Sequence, residues 1–390
     1  MTGAPPTLLS LFGRFLRFGL LAWGGPVAQI AMIKRELVEE ERWLDPQRFN
    51  RLLAVYQALP GPEAHELCVH LGMMQRGRIG GLLAGLGFML PGLLLMLLLA
   101  WAYQRLNLQA EPWPALLLGV QVAVLAVIVR AVHRIGEHVL TDAWLWAVAL
   151  VAAGGSVLGA PFWVVLPAGG LAYVAARRGW RVAAVLLLAL AVAASAIGGG
   201  SAVAAVMASG APASAWLLFL VGLQAGLLTF GGAYTAIPFV RDAAVGRGWV
   251  SDGQFLDGLA LSGLIPAPLV IFATFVGYQA GGLAGALAIT AGVFVPAFGM
   301  TLLFFDRLER VVEDTRLHDV LAGVAAGVVG LVAATFVELA RTTARTAEPL
   351  WAAVAIFGAA LVVLYLWRSK FNVLAVLPGA AVAGWWLFGG

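Results

Sequence analysis

The 390-residue chain is poor in charge: Asp, Glu, Lys and Arg make up only 11% of it, against about 25% in an ordinary globular domain. It has a single cysteine, Cys68, which excludes an internal disulfide and a thiolate metal cage. It also lacks a phosphate-binding loop, a dinucleotide-binding fingerprint, a nucleophile elbow and the spacing of a catalytic triad. No enzyme class therefore has positive support from a motif.

Apolar sequence is what the chain has in abundance. Hydrophobic residues account for 62% of it, and the mean hydropathy is +0.93. Runs such as 85–102 and 116–129 are long enough, or nearly so, to cross the hydrocarbon core of a bilayer as helices. The repeated ten-residue alternation of a transmembrane barrel is missing. The sequence predicts an all-α polytopic membrane protein surrounded by lipids, and its scattered basic residues argue against nucleic-acid binding.

The second half of the chain repeats the first at an offset of 205 to 207 residues. The stretch Leu20–Pro26 returns as Leu227–Ala233, and the motif Pro60-Gly61-Pro62 returns as Pro266-Ala267-Pro268. Duplicated units of this size inside a hydrophobic chain are typical of secondary transporters. Further matching pairs are Trp43 and Trp249, Phe49 and Phe255, Gly72 and Gly277, Gly77 and Gly282, Gly80 and Gly285, and Pro91 and Pro296.

Apolar segments divide the chain into two repeats and a linker. Each half has six such segments, and one segment at about 181–197 has no counterpart. We predict a first repeat over 1–178, a linker helix with a Gly/Ser-rich loop over 179–213, and a second repeat over 214–390. Thirteen crossings result. With an even number of crossings in each half, the lone helix would invert the second repeat relative to the first.

The loop charges favour such an inversion. With the N-terminus in the cytoplasm, 16 of the 24 basic residues fall on the cytoplasmic side, as the positive-inside rule expects. Arg76 and Arg78 in the first copy correspond to Gly281 and Leu283 in the second, so homologous loops exchange their charge.

Four other charged residues are interpreted as boundary residues. Arg130 and Arg134 lie at the end of the apolar segment near 113–132 and are counted among the charges of a cytoplasmic loop. Arg51 and Asp257 occupy matching positions in the two copies with opposite charges, and both are interpreted as interface residues.

The Gly-Gly and Pro-X-Pro motifs predict broken helices. Proline lacks an N–H and glycine tolerates unusual backbone angles, and in lipid such a break belongs beside protein or a water-filled cavity. The N-terminus of each new half-helix would present free N–H groups that bind anions. The alternative is a set of packing kinks. The predicted substrate-binding residues are Gly24, Gly25, Pro26, Gln29, Pro60, Gly61, Pro62, Gly231, Gly232, Tyr234, Pro266, Ala267 and Pro268.

A titratable group follows the first Pro-Gly-Pro motif but not its counterpart. Glu63, Glu66 and His70 are spaced to share one helix face, and His65 lies beside them. Ionisable groups inside a membrane usually line a pathway or relay protons, so these four residues are predicted to couple transport to protons. Two alternatives stay open: a helix that begins at the membrane interface, where these charges are solvated, and a metal site. Because no zincin-type spacing is present, the prediction is that no metal or other cofactor binds.

These motifs resemble the chromate ion transporter family in its two-domain long form. The resemblance rests on Phe18-Gly19-Leu20, Trp23–Pro26, Trp43, Pro60–Pro62 and Gly72, and on Phe230–Gly232, Trp249 and Pro266–Pro268 in the second copy. It covers nearly the whole chain. It implies proton-motive-force-linked movement of chromate, with sulfate as a related anion, across a bacterial inner membrane by two inverted halves. Gln29 stands where the family often has histidine, so no role of that histidine is carried over.

Two functional hypotheses follow. The first is a secondary transporter of a tetrahedral divalent oxyanion, bound between the repeats, with an inorganic anion as its partner and a homodimer left open. The second is a membrane-embedded enzyme or lipid-handling protein that uses Glu63, His65, Glu66 and His70.

Overall fold

The computed structural model describes residues 6–106, 108, 110, 112–198, 213–230, 232–304, 315–367, 369 and 371–389, and every regular element in them is helical. The all-α prediction is therefore confirmed. The first copy consists of α1 (Leu8–Leu20), α2 (Gly25–Ile33, continued by a π-helical stretch Lys34–Glu40), α3 (Pro46–Ala58), α4 (Glu63–Arg105), α5 (Trp113–Val139), α6 (Ala143–Val157) and α7 (Phe162–Arg177).

The second copy repeats these elements in the same order. The predicted lone segment is present as α8 (Arg181–Gly198), which packs on α6 and α7. The loop at 199–212 that was predicted to follow it lies outside the described residues. The second copy consists of α9 (Ala215–Leu227), a 3₁₀ turn (Ala233–Ala236), α10 (Ile237–Gly246), α11 (Asp252–Gly263), a 3₁₀ turn (Leu269–Ile271), α12 (Phe272–Phe304), α13 (Thr315–Thr346), α14 (Leu350–Leu366) and α15 (Asn372–Phe388).

Helix length and composition agree with a membrane protein. Within the described residues, four helical spans are long and apolar enough to cross a bilayer. Large apolar side chains such as Leu9, Leu366 and Trp386 are largely exposed, as expected where lipid replaces water. The four spans are Glu63–Arg105, Trp113–Val139, Leu269–Leu303 and His318–Thr346.

The longest of these spans, α4, turns back on itself at Gly77. Gly77 has a φ of 61°, in the left-handed region that favours glycine. A Cβ on Gly72 would collide with the carbonyl oxygen of Gly80, whereas a straight helix would hold these residues about 12 Å apart. The arms 63–75 and 78–105 therefore form a hairpin.

The second copy contains the same turn. Gly282 also has a φ of 61°, and the φ/ψ pair matches that of Gly77 to within one degree. The hydroxyl oxygens of Thr274 and Thr290, on opposite arms of α12, lie 2.7 Å apart. The repeat found in the sequence is therefore a repeat of backbone structure.

The two copies exchange helices. Helix α5 of the first copy packs on α14 and α15 of the second, and α13 of the second packs on α6 and α7 of the first. Glycines permit the close approach: a Cβ on Gly119 would meet the carbonyl of Ala380, and one on Gly330 would meet that of Ala149. Neither copy therefore buries its helices without the other.

Equivalent helices also contact each other across the copies. Helix α4 packs on α12, and α5 packs on α13. Elements that touch their own equivalents must lie beside the axis that relates the copies. The breaks that precede α4 and α12 are consequently brought toward the centre of the molecule.

Candidate functional site

All four predicted breaks interrupt helices. In the first copy, α2 begins at Gly25 after Gly24 with a φ of 88°, and α4 begins directly after Pro62. In the second copy, Gly232 and Pro268 each precede a short 3₁₀ turn that leads into the next helix. Gly231, which was also predicted as a site residue, lies outside the described residues.

The breaks meet in crossed pairs between the copies. Gln29, on α2, is 1% exposed, and its Nε2 donates to the carbonyl oxygens of Ala22 at 2.9 Å and of Ala267 at 3.0 Å. In the other direction, the backbone N–H of Gly61 donates to the carbonyl oxygen of Thr229 at 2.8 Å. Each Gly-Gly break of one copy is thus joined to the proline motif of the other.

A cavity of about 100 Å³ lies at the first of these junctions. We name it the inner chamber. Its wall combines the break before α2 with polar side chains of α5 and of the second copy. The residues that define it here are Trp23, Gly24, Gly25, Pro26, Arg130, Arg134, Tyr234, Ser262, Ala267, Ser369 and Asn372.

A second cavity, of about 320 Å³, adjoins the first. We name it the vestibule. Pro26, Ala131, Arg134 and Tyr234 line both cavities, so the two share a wall. The residues that define the vestibule are Pro26, Val27, Gln57, Glu63, Ala131, Arg134, Ile135, His138, Val139, Gly232 and Tyr234.

The two arginines of the inner chamber were missed by the sequence reasoning. Their assignment to a loop is wrong, because α5 continues past them to Val139. They lie one helical turn apart on one face. Neither Arg130 nor Arg134 forms an ion pair with another described residue. A basic pair at i and i+4 just past an apolar run was the signal that could have found them.

The four predicted proton-coupling residues do not converge on one point. Glu63 is 7% exposed and lines the vestibule. Glu66 is completely buried behind it, and a Cβ added to Gly61 would lie 2.6 Å from a carboxylate oxygen of Glu66. Gly61 has a φ of 148°, so this close approach and the backbone angle both require glycine there.

The two histidines lie in different surroundings. The Nδ1 atom of His70 is 2.8 Å from the hydroxyl of Tyr56 on α3. The ring of His65 packs edge-on against Phe294 and Phe298 on α12, with centroid separations of 4.8 and 4.7 Å. Within the part of the chain that is described, no three His, Cys, Asp or Glu residues are grouped closely enough to hold a metal ion.

The remaining predicted residues shape the site rather than line its cavities. Gln29 and Gly61 form the crossed links, and Pro60, Pro62, Pro266 and Pro268 flank the breaks without lining the inner chamber or the vestibule. Asp257 departs from its interpretation as an interface residue: it is 3% exposed and lies inside the protein. Arg51, its counterpart, is exposed.

Comparison with known proteins adds to this geometry. A model of the chromate transporter family matches residues 9–174 and 216–385. The chain is 58% identical to the chromate transport protein of Pseudomonas aeruginosa, over 98% of this chain and 93% of that protein. It is 30% identical to the chromate transport protein of Cupriavidus metallidurans, over 97% and 92% of the two chains. No solved structure matches it.

The family match accounts for both halves of the chain and for their repetition, and it makes this membrane protein a transporter rather than an enzyme. The chain belongs to the chromate transporter family.

Proposed function

We propose that this chain is a secondary active transporter that binds chromate, or a similar tetrahedral divalent oxyanion such as sulfate, in the inner chamber. It would carry the anion across the bacterial inner membrane, coupled to protons. The family and the names of the relatives support the substrate. The inner chamber with its two arginines is the observation that carries the assignment of the binding site.

The charges in the inner chamber suit a divalent anion. Arg130 and Arg134 bring two positive charges, and no described carboxylate forms an ion pair with either of them. Uncompensated charge inside a membrane protein is costly, and a dianion removes that cost. Guanidinium groups also match the planar pairs of oxygens that a tetrahedral oxyanion presents. The N-terminus of α2 at Gly25 adds a partial positive charge and free N–H groups.

The size of the inner chamber agrees with the same ligand. A cavity needs roughly 10–15 Å³ of water-accessible space to hold one water molecule. The volume of about 100 Å³ therefore leaves room for a four-oxygen anion. The larger vestibule then serves as its route of entry past Arg134.

Proton coupling is proposed to act through Glu63, Glu66, His65 and His70. Glu63 is the member that meets the anion path, because it lines the vestibule together with Arg134. An ionised Glu63 would repel an incoming dianion and compete with it for Arg134. Protonation removes both effects, so anion affinity should rise as the pH falls. Glu63→Gln with Glu66→Gln should keep that higher affinity at all pH values.

The two copies are proposed to have opposite orientations, which would let one site face each side of the membrane in turn. The exchange of charge between the turns at Arg78 and Leu283 supports this arrangement. Single cysteines at these two positions, in a Cys68→Ala background, should be labelled from opposite sides by an impermeant maleimide. Labelling from the same side would contradict the inversion. A homodimer stays a prediction.

Radiolabelled chromate flux into proteoliposomes tests the proposed function. We expect saturable uptake that unlabelled sulfate inhibits and that an imposed pH gradient accelerates. Liposomes containing the Arg130→Gln, Arg134→Gln double variant are the matched control, since they hold a folded protein without the chamber charges. Equal flux in both preparations would contradict the proposed site, and absence of flux in the unmodified protein would contradict the proposed function.

A further inference from the structure

A carboxylate outside the proposed site is buried without a cationic partner. Asp257, in the middle of α11, is 3% exposed. One carboxylate oxygen accepts a hydrogen bond from the hydroxyl of Tyr103 on α4 at 2.7 Å, and the other accepts from Nε2 of Gln121 on α5 at 3.0 Å. No described Arg, Lys or His forms an ion pair with it.

The groups that face Asp257 are neutral. From α4 it meets Tyr103 and from α5 Gln121, while α12 contributes Phe275, whose ring lies 4.9 Å from that of Tyr103. Arg241 on α10 and Glu338 on α13 are engaged in ion pairs elsewhere. Arg241 pairs with Glu338 and, at 2.8 Å, with Asp252 at the start of α11, five residues before Asp257.

Two neutral donors compensate only part of the cost of a buried negative charge. A cation that binds to the carboxylate would remove the rest of that cost. A metal cation needs several oxygen ligands, whereas the amide nitrogen of Gln121 is a donor and cannot serve as one. A proton needs only one carboxylate oxygen. On uptake, the protonated oxygen donates to the hydroxyl oxygen of Tyr103, whose own hydrogen turns away.

The position of this cluster separates it from the anion site. Gln121 lies nine residues before Arg130 on α5, which is about 14 Å along the helix. Ser262, which lines the inner chamber, lies five residues after Asp257 on α11, about 7.5 Å along that helix. Asp257 itself does not line the chamber. At separations of this order, with an effective dielectric constant of about 20 or above, one negative charge changes the affinity for a dianion by roughly ten- to fiftyfold.

We propose that Asp257, held by Tyr103 and Gln121, is a second protonation site that lies outside the inner chamber and is linked to anion binding there. This inference rests on the proposed function and adds to it a coupling residue in the second copy. Its three members come from both copies, so its protonation also changes the hydrogen bonds between them. Tyr103 and Gln121 are positioning residues, which stabilise the ionised form of Asp257.

Binding of radiolabelled sulfate to the purified full-length protein in nanodiscs tests the proposal. Sulfate is a suitable probe because it stays a dianion from about pH 5 to about pH 8, where a displaced carboxyl group would titrate. We expect the affinity of the unmodified protein to fall as the pH rises. Asp257→Asn should remove on the order of ten- to fiftyfold of that fall and leave the part that is due to Glu63 and Glu66. Tyr103→Phe should move the midpoint to higher pH, because the ionised carboxylate loses a donor. Glu39→Gln, which alters an exposed acid, should leave the profile unchanged.

The outcomes separate the two proposals. A full pH profile in a folded Asp257→Asn protein overturns the role of Asp257 and leaves the anion site standing. Failure of the unmodified protein to bind sulfate or chromate at any pH overturns the proposed function and this inference with it. If Asp257→Asn does not fold, the Tyr103→Phe midpoint decides: an unmoved midpoint overturns the proposal. Dependence of the profile on Na⁺ at constant ionic strength would also overturn it.

Discussion

The turns at Gly77 and Gly282 have the same backbone angles, yet the segments that lead into them have opposite chemistry. In the first copy, Glu63 and Glu66 begin the arm that runs to the turn. At the matching positions the second copy has the apolar residues Leu269 and Phe272. The backbone was duplicated faithfully while the polar groups diverged.

The central helices differ in the same way. Helix α5 carries Arg130 and Arg134, which have no ion-pair partner among the described residues. In its counterpart α13, Glu338 is paired with Arg241. The repeated glycines therefore specify the architecture, and the residues that are not repeated are the candidates for binding and coupling. The following predictions test this division, from the largest expected effect to the smallest.

Substitution of the hairpin glycines should destabilise the protein to the same extent in both copies. Gly72→Val and Gly277→Val each place a side chain against the backbone of the opposite arm, and we expect each to cost more than about 3 kcal/mol. The yield of monodisperse protein and its melting temperature in detergent measure the loss. Gly154→Val, at a glycine with no atom within 4 Å of an added Cβ, is the control. A loss of stability in only one of the two variants would contradict the equivalence of the two turns.

Substitution of arginines on α5 should weaken anion binding, whereas substitution of an arginine on its counterpart α13 should not. Arg130→Gln and Arg134→Gln each remove charge-assisted hydrogen bonds to a bound anion, and we expect anion affinity to fall by roughly ten- to a hundredfold. Equilibrium binding of labelled chromate to each purified variant measures this. Arg341→Gln, which alters an exposed arginine on the equivalent helix α13, should leave affinity unchanged. Equal effects on both helices would remove the distinction between them.

The crossed links should differ in strength because one uses a side chain and the other the backbone. Gln29→Leu leaves the carbonyls of Ala22 and Ala267 without their donor, and we expect a loss of about 1–3 kcal/mol. Thr229→Val should cost less, because the Thr229 hydroxyl donates only to the carbonyl of Ala225 in the preceding helix α9, while the Thr229 carbonyl still accepts from Gly61. Thermal melting of both variants measures the difference in stability. A greater loss of stability in Thr229→Val than in Gln29→Leu would contradict the assignment of the side-chain link to Gln29.

We expect the smallest difference in stability between the copies at the N-terminal caps of the equivalent helices α6 and α14. Asp142 caps α6 by accepting from the backbone N–H groups of Trp144 and Leu145, whereas Pro349, before α14, offers no side-chain cap. We expect Asp142→Ala to cost about 1 kcal/mol. Melting temperatures of this variant and of Asp142→Asn, which can still cap, measure the contribution. Equal melting temperatures of the unmodified protein and the two variants at neutral pH would exclude a contribution of the cap to stability.

That contribution should depend on pH. Partial burial alone would raise the pKa of Asp142, but hydrogen bonds from Tyr173 and from the two backbone N–H groups hold it below its ordinary value. A lowered pKa means that the ionised carboxylate is more stable in the folded state than in the unfolded state. The stabilisation is therefore complete above the ordinary pKa of aspartate and disappears as the pH falls through the lowered value. Melting of the unmodified protein and of Asp142→Ala should converge in acid.

Much of the fold could be predicted because glycine and proline act locally. The breaks at Gly24–Pro26 and Pro60–Pro62 follow from backbone restrictions that need no tertiary information, and the repeat confirms each of them a second time. The exchange of α5 and α13 could not be predicted, because apolar helices with small residues on several faces do not reveal which neighbour they meet. That choice appears only in contacts such as that of Gly119 with the backbone at Ala380.

The candidate site was predicted less completely than the fold. Hydropathy ends the apolar segment 113–132 near its first charged residues, so Arg130 and Arg134 were taken for a loop even though the helix continues to Val139. Gln29 was expected near an anion, and the structure shows its amide joining two breaks, a long-range contact that sequence spacing does not reveal. Asp257 was misjudged for the same reason, since its partners Tyr103 and Gln121 lie more than 130 residues away.

The exchange of helices has a consequence for how the chain is made. Helices α6 and α7 are synthesised before α13, the helix that covers their apolar, glycine-lined face. Helix α13 begins at Thr315, 138 residues after α7 ends at Arg177. At typical rates of synthesis this wait lasts on the order of ten seconds. During that time the first copy is inserted but incomplete, and membrane quality control can reach it. Translation that stops before α13 should therefore yield a product that is degraded rather than a working half.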